Sequence, residues 1–203
     1  MKPFDVTPVK GSFKSPIQWK IAAGAEKGCP QVAGRMIRGL RNGPSPRWMQ
    51  DWLTAVGLRP ISALVDVTNF TTHDYARPLH VFDADKLAGD LTMRWARDGE
   101  SMEALNGKTY ALDPSTMVIA DDKGAHGIGG VMGGEHSSVT EGTTSVFIES
   151  ALFSAGMVAA TGRKLNLQSD ARYRFERGLD PTSPTWGLEV ATRLILDICG
   201  GEA

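Results

Sequence analysis

The side chains best suited to chemistry lie in the segment VDVTNFTTHDYARPLHVFD, residues 65–83. It carries hydroxyl, amide, carboxylate and imidazole groups in a run whose apolar residues would otherwise form core. These polar positions are Asp66, Thr68, Asn69, His73, Asp74, His80 and Asp83. Histidine is the usual general acid or base, because its unperturbed pKa is about 6.5. His80 stands between Leu79 and Val81, so it is either a catalytic group or a structural histidine.

The glycine-rich segment GIGGVMGG, residues 127–134, contains five glycines. It is not a P-loop, because no Gly-Lys-Ser or Gly-Lys-Thr follows it. It is not a dinucleotide fingerprint either, because no helical pattern begins after it. Such a segment either lets the backbone approach a ligand closely or forms a bulged strand in a crowded sheet. The residues alone leave both interpretations open.

Glu149 lies inside the apolar run FIESALF, residues 147–153. If its side chain points into the protein, the carboxylate needs a partner or a ligand, because burying a lone charge is costly. If the side chain points outward, it is an ordinary surface carboxylate on a strand. The sequence therefore marks Glu149 as a candidate binding residue without deciding between the two.

A basic region follows, in NLQSDARYRFERGLDP, residues 166–181, and just before it. Five cations stand there against Asp170 and Glu176, and they are candidates for phosphate contact. An ordinary solvated face with arginine–glutamate pairing is the alternative. The five predicted RNA-binding residues are Arg163, Lys164, Arg172, Arg174 and Arg177.

Several classes of protein are excluded or disfavoured. The histidines and the two cysteines, Cys29 and Cys199, form no HExxH or CxxC spacing, so no metal site is expected. No GxSxG elbow for an acyl-enzyme hydrolase is present. A formal net charge of −1 gives no overall attraction to nucleic acid. No apolar run has the length of a membrane span or the form of a signal, so a cytoplasmic protein with reduced thiols is expected.

The first helix is expected to begin at Ser45 and Pro46, an N-cap followed by a proline in the first turn. Trp48, Trp52 and Val56 would form its buried face. Alternating residues around Trp19 and a weaker run over residues 32–40 predict strands before it, and residues 61–76 fit either a strand or a helix.

Residues 91–150 have a β pattern, with a hairpin at Asn106-Gly107. Ser154 predicts a helix to about Leu165, and Ser183-Pro184 a final helix that Gly200 ends. The apolar stripe of this final helix comprises Leu188, Ala191, Leu194 and Ile195. The fold class predicted is α+β, with a central sheet or sandwich and flanking helices. Residues 1–15 are predicted to be a linker, and residues 16–203 one domain that could contain two interwoven subdomains.

Five of these motifs, in this order, resemble one family. ALVDVTNF, PLHVFDADKL, GGVMGG, FIESALF and SDARYRFERGLDP are similar to the signature series of the B3/B4 region in bacterial phenylalanyl-tRNA synthetase β chains. The resemblance covers roughly residues 17–200. It implies a β chain that pairs with a catalytic α chain as an (αβ)₂ tetramer and binds phenylalanine tRNA. It also implies that ATP and magnesium serve the holoenzyme, with no cofactor in this domain.

The resemblance implies an editing site, which hydrolyses tyrosine wrongly esterified to phenylalanine tRNA. Glu149 would recognise the tyrosine hydroxyl, and a water molecule would attack the ester without a protein nucleophile. The catalytic positions implied are His80, Thr68 and Asn69. The binding positions implied are Gly129, Gly130, Gly133, Ser169 and Ala171.

Departures from the family pattern bear on whether editing is retained, and two other hypotheses stay open. Ser169 stands where threonine is expected, and Gly129 where alanine is expected, which would enlarge the site. Thr72-His73 and Ala76-Arg77 are more polar than the usual apolar stretch before PLH. A tRNA-binding scaffold that has lost editing, or a free-standing editing protein, would fit the same motifs.

Overall fold

The computed structural model describes residues 6–203, which form the predicted α+β fold. Its five α-helices are α1 (Arg47–Ala55), α2 (Ala63–Asp74), α3 (Ala155–Lys164), α4 (Asp170–Phe175) and α5 (Ser183–Cys199), with a 3₁₀ turn at Ala84–Lys86. The first five strands are β1 (Trp19–Ile21), β2 (Gln31–Arg38), β3 (His80–Asp83), β4 (Leu91–Trp95) and β5 (Ser101–Glu103). The others are β6 (Thr109–Ala111), β7 (Met117–Ala120), β8 (Ala125–Ile128), β9 (Met132–Gly133) and β10 (Ser145–Leu152).

The strands form three sheets. The largest has the order β1-β4-β7-β8-β9, the second has β2-β10-β3, and β5 pairs with β6 around the predicted Asn106-Gly107 hairpin. Only the β1–β4 pair is parallel within residues 6–203. Antiparallel neighbours joined by short turns account for the dense β pattern of the middle of the chain.

Strand β10 separates two hydrophobic cores, because its successive side chains point to opposite faces of the sheet. Val146 and Ile148 join the core formed with α1, α2 and α5. Phe147 and Ala151 join the core formed with the five-stranded sheet, α3 and α4. The central sheet is therefore covered on both faces, and Glu149 lies on the same face as Phe147.

Helix α1 differs from the prediction in its cap and in its buried face. It begins after Pro46, and no side chain caps it. The Ser45 hydroxyl instead donates to the Asp66 carboxylate of α2, at 2.6 Å in the interior. Met49 and Leu53 are the buried residues, whereas Trp48 is 51% exposed. The expected face was wrong because its tryptophans pack sideways on Phe70 of α2 rather than inward.

Helix α2 resolves the ambiguity of residues 61–76 in favour of a helix, and α4 is a helix that the sequence reasoning missed. With only six residues, α4 is too short to show an apolar period. Its N-cap is Ser169, whose hydroxyl accepts a hydrogen bond from the Arg172 N–H at 3.0 Å. Both helices bring motif residues to one place in the fold.

The predicted linker lies partly outside the described residues. Residues 6–15 contain no helix or strand, but the Val9 N–H donates to Glu189 and the Ser12 N–H donates to the Ala203 carbonyl. This part of the chain therefore lies along α5 and the carboxyl end. The division at residue 15 stays a prediction. None of the helices in residues 6–203 has the length and hydropathy that a bilayer span requires.

Candidate functional site

One cavity of about 520 Å³ lies where the five motifs meet. Helix α2 supplies one wall, the segment before and within β3 a second, the β8–β9 turn a third, and β10 with the start of α4 the rest. Its volume is in the usual range for a small-molecule site. The residues named from the sequence that line it are Thr68, Asn69, His80, Gly130, Gly133, Glu149, Ser169 and Ala171.

Glu149 is the buried charge of this cavity. Its residue is 6% exposed, and burial raises the pKa of its carboxyl to about 7, against the lowering effect of the Arg77 charge. Among the described residues no hydrogen bond or ion pair engages the carboxylate. An unpartnered buried carboxylate is unfavourable unless a ligand donates a hydrogen bond to it. The Glu149 side chain thus points into the protein, which was one of the two possibilities that the sequence left open.

His80 begins β3 directly opposite Glu149 in the sheet register. Its Nε2 atom is buried and has no hydrogen-bond partner among residues 6–203. Burial lowers the pKa of His80 to about 4, with a smaller contribution from His126. The imidazole is therefore neutral at physiological pH, and it can orient a polar ligand or a water molecule but does not carry positive charge.

Gly133 makes the position of His80 possible. A Cβ atom at residue 133 would lie 2.4 Å from His80 Cε1, closer than any real contact. The glycine of β9 therefore serves as the close-approach residue that the glycine-rich motif suggested. What it approaches here is the imidazole ring.

Helix α2 presents Thr68 and Asn69 to the cavity on one helical face, together with Val65 and Thr72. The Thr68 hydroxyl donates to the Val65 carbonyl at 2.8 Å, so its lone pairs remain available as acceptors. The Asn69 side chain makes no hydrogen bond within the described residues. Both polar groups can therefore bind a ligand without breaking an existing contact.

The two neighbouring glycines, Gly129 and Gly130, form the turn between β8 and β9. Gly130 has a φ of +71°, which a glycine adopts without strain, and it lines the cavity. Gly129 does not line it. A Cβ at residue 129 would lie 2.9 Å from Phe153 and 3.0 Å from Met117, so the methyl of the expected alanine would point into the core. Because Phe153 itself lines the cavity, the effect of the missing methyl on the site would pass through that ring.

Ser169 connects the glycine turn to α4. Its hydroxyl donates to the Val131 carbonyl at 2.5 Å and accepts from the Arg172 N–H. Ala171 follows it in the cavity wall. The serine at this position therefore keeps the hydroxyl contacts that hold α4 against the site.

The five predicted RNA-binding cations do not form one free patch. Arg172 is buried, and donates to the Leu167 carbonyl at 2.6 Å and to Glu176 at 3.0 Å. Lys164 lies 2.7 Å from Asp113, and Arg174 bonds Asp170 on the same helix. These contacts favour intramolecular pairing for the three.

The two remaining cations are exposed. Arg177 covers the Tyr173 ring at 3.7 Å and pairs with Glu176. The Arg163 side chain makes no hydrogen bond or ion pair within residues 6–203, so it is the most available of the five for a phosphate. An RNA contact by this region stays a prediction.

Replacing Arg172 with alanine is expected to lower the free energy of unfolding by about 2–4 kcal/mol, because it removes buried hydrogen bonds and leaves the Leu167 carbonyl without a donor. The matched control is Arg163→Ala, which removes an exposed cation and should change that energy by less than about 0.5 kcal/mol. Urea unfolding of both variants measures the difference. Equal effects would show that Arg172 is not structural.

Arg77, just before the cavity-lining Pro78, was noted from the sequence only as a departure from the family pattern. It is fully buried, and a Cβ on Gly187 of α5 would lie 2.6 Å from its Cγ atom. The burial of this arginine depends on a glycine in a helix far along the chain. The two residues meet only in the folded structure, so no local sequence pattern could have indicated it. Within residues 6–203 no group of three histidine, cysteine or acidic side chains is arranged to hold a metal ion.

Comparison with known proteins supports the resemblance that the motifs indicated. The phenylalanine–tRNA ligase β subunit of Paramagnetospirillum magneticum is 57% identical over 205 aligned positions, covering all of this chain and 26% of that protein. That of Nitrobacter winogradskyi is 57% identical over 197 positions, covering 97% of this chain and 24% of that protein. The chain thus spans about a quarter of the length of these relatives.

Comparison with solved structures supports the fold. An N-terminal fragment of the phenylalanyl-tRNA synthetase β subunit from Pyrococcus horikoshii matches with a TM-score of 0.52 and 16% identity, over 73% of this chain and 49% of that one. A family model described as the B3/4 domain matches residues 28–200. Since this match takes in most of the sequence, the chain belongs to the B3/4 domain family.

Proposed function

We propose that the cavity is an editing site, which hydrolyses the ester of tyrosine wrongly attached to phenylalanine tRNA. The observation that carries the proposal is the buried, unpartnered Glu149 carboxylate at the wall of a cavity of amino-acid size. A carboxylate accepts the phenolic proton of tyrosine in a charge-assisted hydrogen bond. Phenylalanine offers no such donor and would leave the buried charge unpaired.

The need for such a site follows from the limits of an apolar pocket. A synthetic site for phenylalanine rejects an added hydroxyl by only about 10²-fold. A second site that requires the hydroxyl removes the wrong product and spares the right one. On this proposal the chain is part of a phenylalanine–tRNA ligase β subunit of the cytoplasm. It works with the α subunit in an (αβ)₂ tetramer, which uses ATP and magnesium elsewhere.

Hydrolysis would proceed by attack of a positioned water molecule on the ester carbonyl. The neutral His80 imidazole, with Thr68 and Asn69 across the cavity, would hold and orient that water. The ribose hydroxyl of the tRNA would assist. The Gly130 N–H, which has no acceptor among residues 6–203, is suited to stabilise the developing oxyanion.

The first test is the deacylation of tyrosyl- and phenylalanyl-tRNA(Phe) by the complete ligase. We expect rapid release of tyrosine and little release of phenylalanine, beside normal charging with phenylalanine. Release of neither ester would overturn the proposal and leave a tRNA-binding scaffold. His80→Ala should slow the release of tyrosine by about 10²-fold or more, because the attacking water loses its position.

A further inference from the structure

Arg77 places a guanidinium inside the protein, with no surface exposed to solvent. Ala76, just before it, has a φ of +53°, an unfavourable conformation for alanine. The Arg77 N–H donates to the Thr71 carbonyl at 3.0 Å, which holds the chain between α2 and β3 in this turn. A buried cation is costly without a compensating negative charge, so its presence calls for a reason.

The direct hydrogen-bond partners of the guanidinium are neutral. Nη2 donates to the Ala151 carbonyl, and Nη1 donates to the Ser183 hydroxyl at 3.2 Å. The guanidinium carbon also lies 5.7 Å from the centre of the Phe175 ring, which lines the cavity. Nε has no partner within residues 6–203. These contacts fix the position of the charge but do not neutralise it.

The residue of opposite charge on the strand that Arg77 contacts is Glu149. It lies two residues from Ala151 on β10, about 7 Å along the strand. Burial lowers the pKa of Arg77 to about 10 and raises that of Glu149 to about 7, and the attraction between the two charges opposes both effects. Two buried charges of opposite sign thus lie beside the same part of β10.

Other ionisable groups on the elements packed against β10 do not replace Arg77. His80 is neutral, and burial raises the pKa of the Cys29 thiol to about 12, so that it is neutral too. Arg35 of β2 pairs with Glu189 of α5 at 2.9 Å. The other charged side chains near β3 lie at its opposite end from His80, and they are Asp83, Asp85 and Lys86. Within residues 6–203, Arg77 is the cation whose charge lowers the pKa of Glu149.

We propose that Arg77 is a positioning residue that determines specificity, since its buried guanidinium supplies the counter-charge that keeps the Glu149 carboxylate ionised. The inference rests on the proposed editing function. An ionised carboxylate accepts the tyrosine hydroxyl in a bond about twice as strong as a neutral acid forms. Arg77 thereby sets the preference for tyrosine without contacting the substrate.

The experiment compares the complete ligase with its Arg77→Gln variant in the release of tyrosine and phenylalanine from tRNA(Phe), as a function of pH. The parent should lose activity on the tyrosyl ester as pH falls through the pKa of Glu149, about 7. In the variant this acidic limb should move up by about one pH unit, which lowers the rate at neutral pH about fivefold. Release of phenylalanine should not fall.

Ser183→Ala is the control, because it removes one hydrogen bond from the same guanidinium and leaves the charge. Its acidic limb should stay with the parent. If Arg77→Gln fails to assemble, Gly187→Ala replaces it as the test, because the added Cβ displaces the Arg77 side chain. Its control is Gly156→Ala, since a Cβ at Gly156 meets nothing within 4 Å. Gly187→Ala should move the limb and Gly156→Ala should not.

The role of Arg77 is overturned if the acidic limb of the pH profile does not move in Arg77→Gln. If Gly187→Ala is used instead, an unmoved limb in that variant overturns it. That outcome differs from failure of the editing function, in which the parent itself shows no preference for the tyrosyl ester. A merely structural role for Arg77 would lower the rate equally at every pH and leave the limb unmoved.

Discussion

Glu149→Ala is expected to reduce kcat/KM for tyrosyl-tRNA(Phe) hydrolysis about 10- to 100-fold, the range that corresponds to one lost hydrogen bond to a charged group. Release of phenylalanine should stay the same or rise slightly, because no buried charge is then left unpaired. Glu149→Gln keeps the shape of the side chain and should give a smaller loss. Deacylation assays with both esters measure the two rates.

The control for Glu149 is Glu141→Ala, which removes an exposed carboxylate from the loop before β10 and should leave both rates unchanged. Unchanged tyrosine release in Glu149→Ala would refute the recognition role. Loss of folding in that variant would identify the carboxylate as structural instead.

The same residue should leave a mark on stability. The folded-state pKa of Glu149 is raised from 4.5 to about 7, so the folded protein holds its proton more tightly than the unfolded chain. Stability should therefore fall as pH rises from about 4.5 through about 7, by about 3 kcal/mol from this group. Glu149→Gln lacks that fall, and urea unfolding of parent and variant on both sides of the window would show it.

Gly133→Ala is expected to slow tyrosine release by about 10²-fold, because a shift of about 1 Å in a catalytic group has an effect of that size. The added Cβ would lie 2.4 Å from His80 Cε1 and 3.0 Å from Leu105 Cδ1, so the imidazole must move. Gly142→Ala is the control, since its nearest atom is Thr140 Oγ1 at 3.8 Å. Full activity in Gly133→Ala would show that the ring position is not needed.

The fold class and several strands were predictable because their signals are local, whereas β3 was not predicted. Alternation marked β1, the β pattern of residues 91–150 included β10, the Asn-Gly pair marked the β5–β6 hairpin, and Ser183-Pro184 marked the start of α5. The polar motif residues could be named because each belongs to a recognisable sequence pattern. Eight of the nine candidate catalytic and binding residues line one cavity, although the roles given to them stay predictions.

The direction and surroundings of side chains were not predictable. Glu149 points inward only because both faces of β10 are covered, which no local pattern reveals. Arg172 looked like a solvent-facing cation, yet Gly162 of α3 leaves room for it inside, since a Cβ there would lie 2.2 Å from its Nε. Gly129 was expected to line the cavity, but a Cβ at this position would contact Phe153 and Met117 instead. Each outcome depends on partners far away in sequence.

The position of β10 between two cores has a consequence for dynamics. Its backbone amides pair with β2 on one side and with β3 on the other, and its side chains are packed above and below. Such a strand opens only when the whole domain unfolds, so its amides should exchange with deuterium among the slowest in the protein. The residue proposed to recognise one hydroxyl group is therefore expected to lie on one of the most rigid segments, so that local motion would not weaken its selectivity.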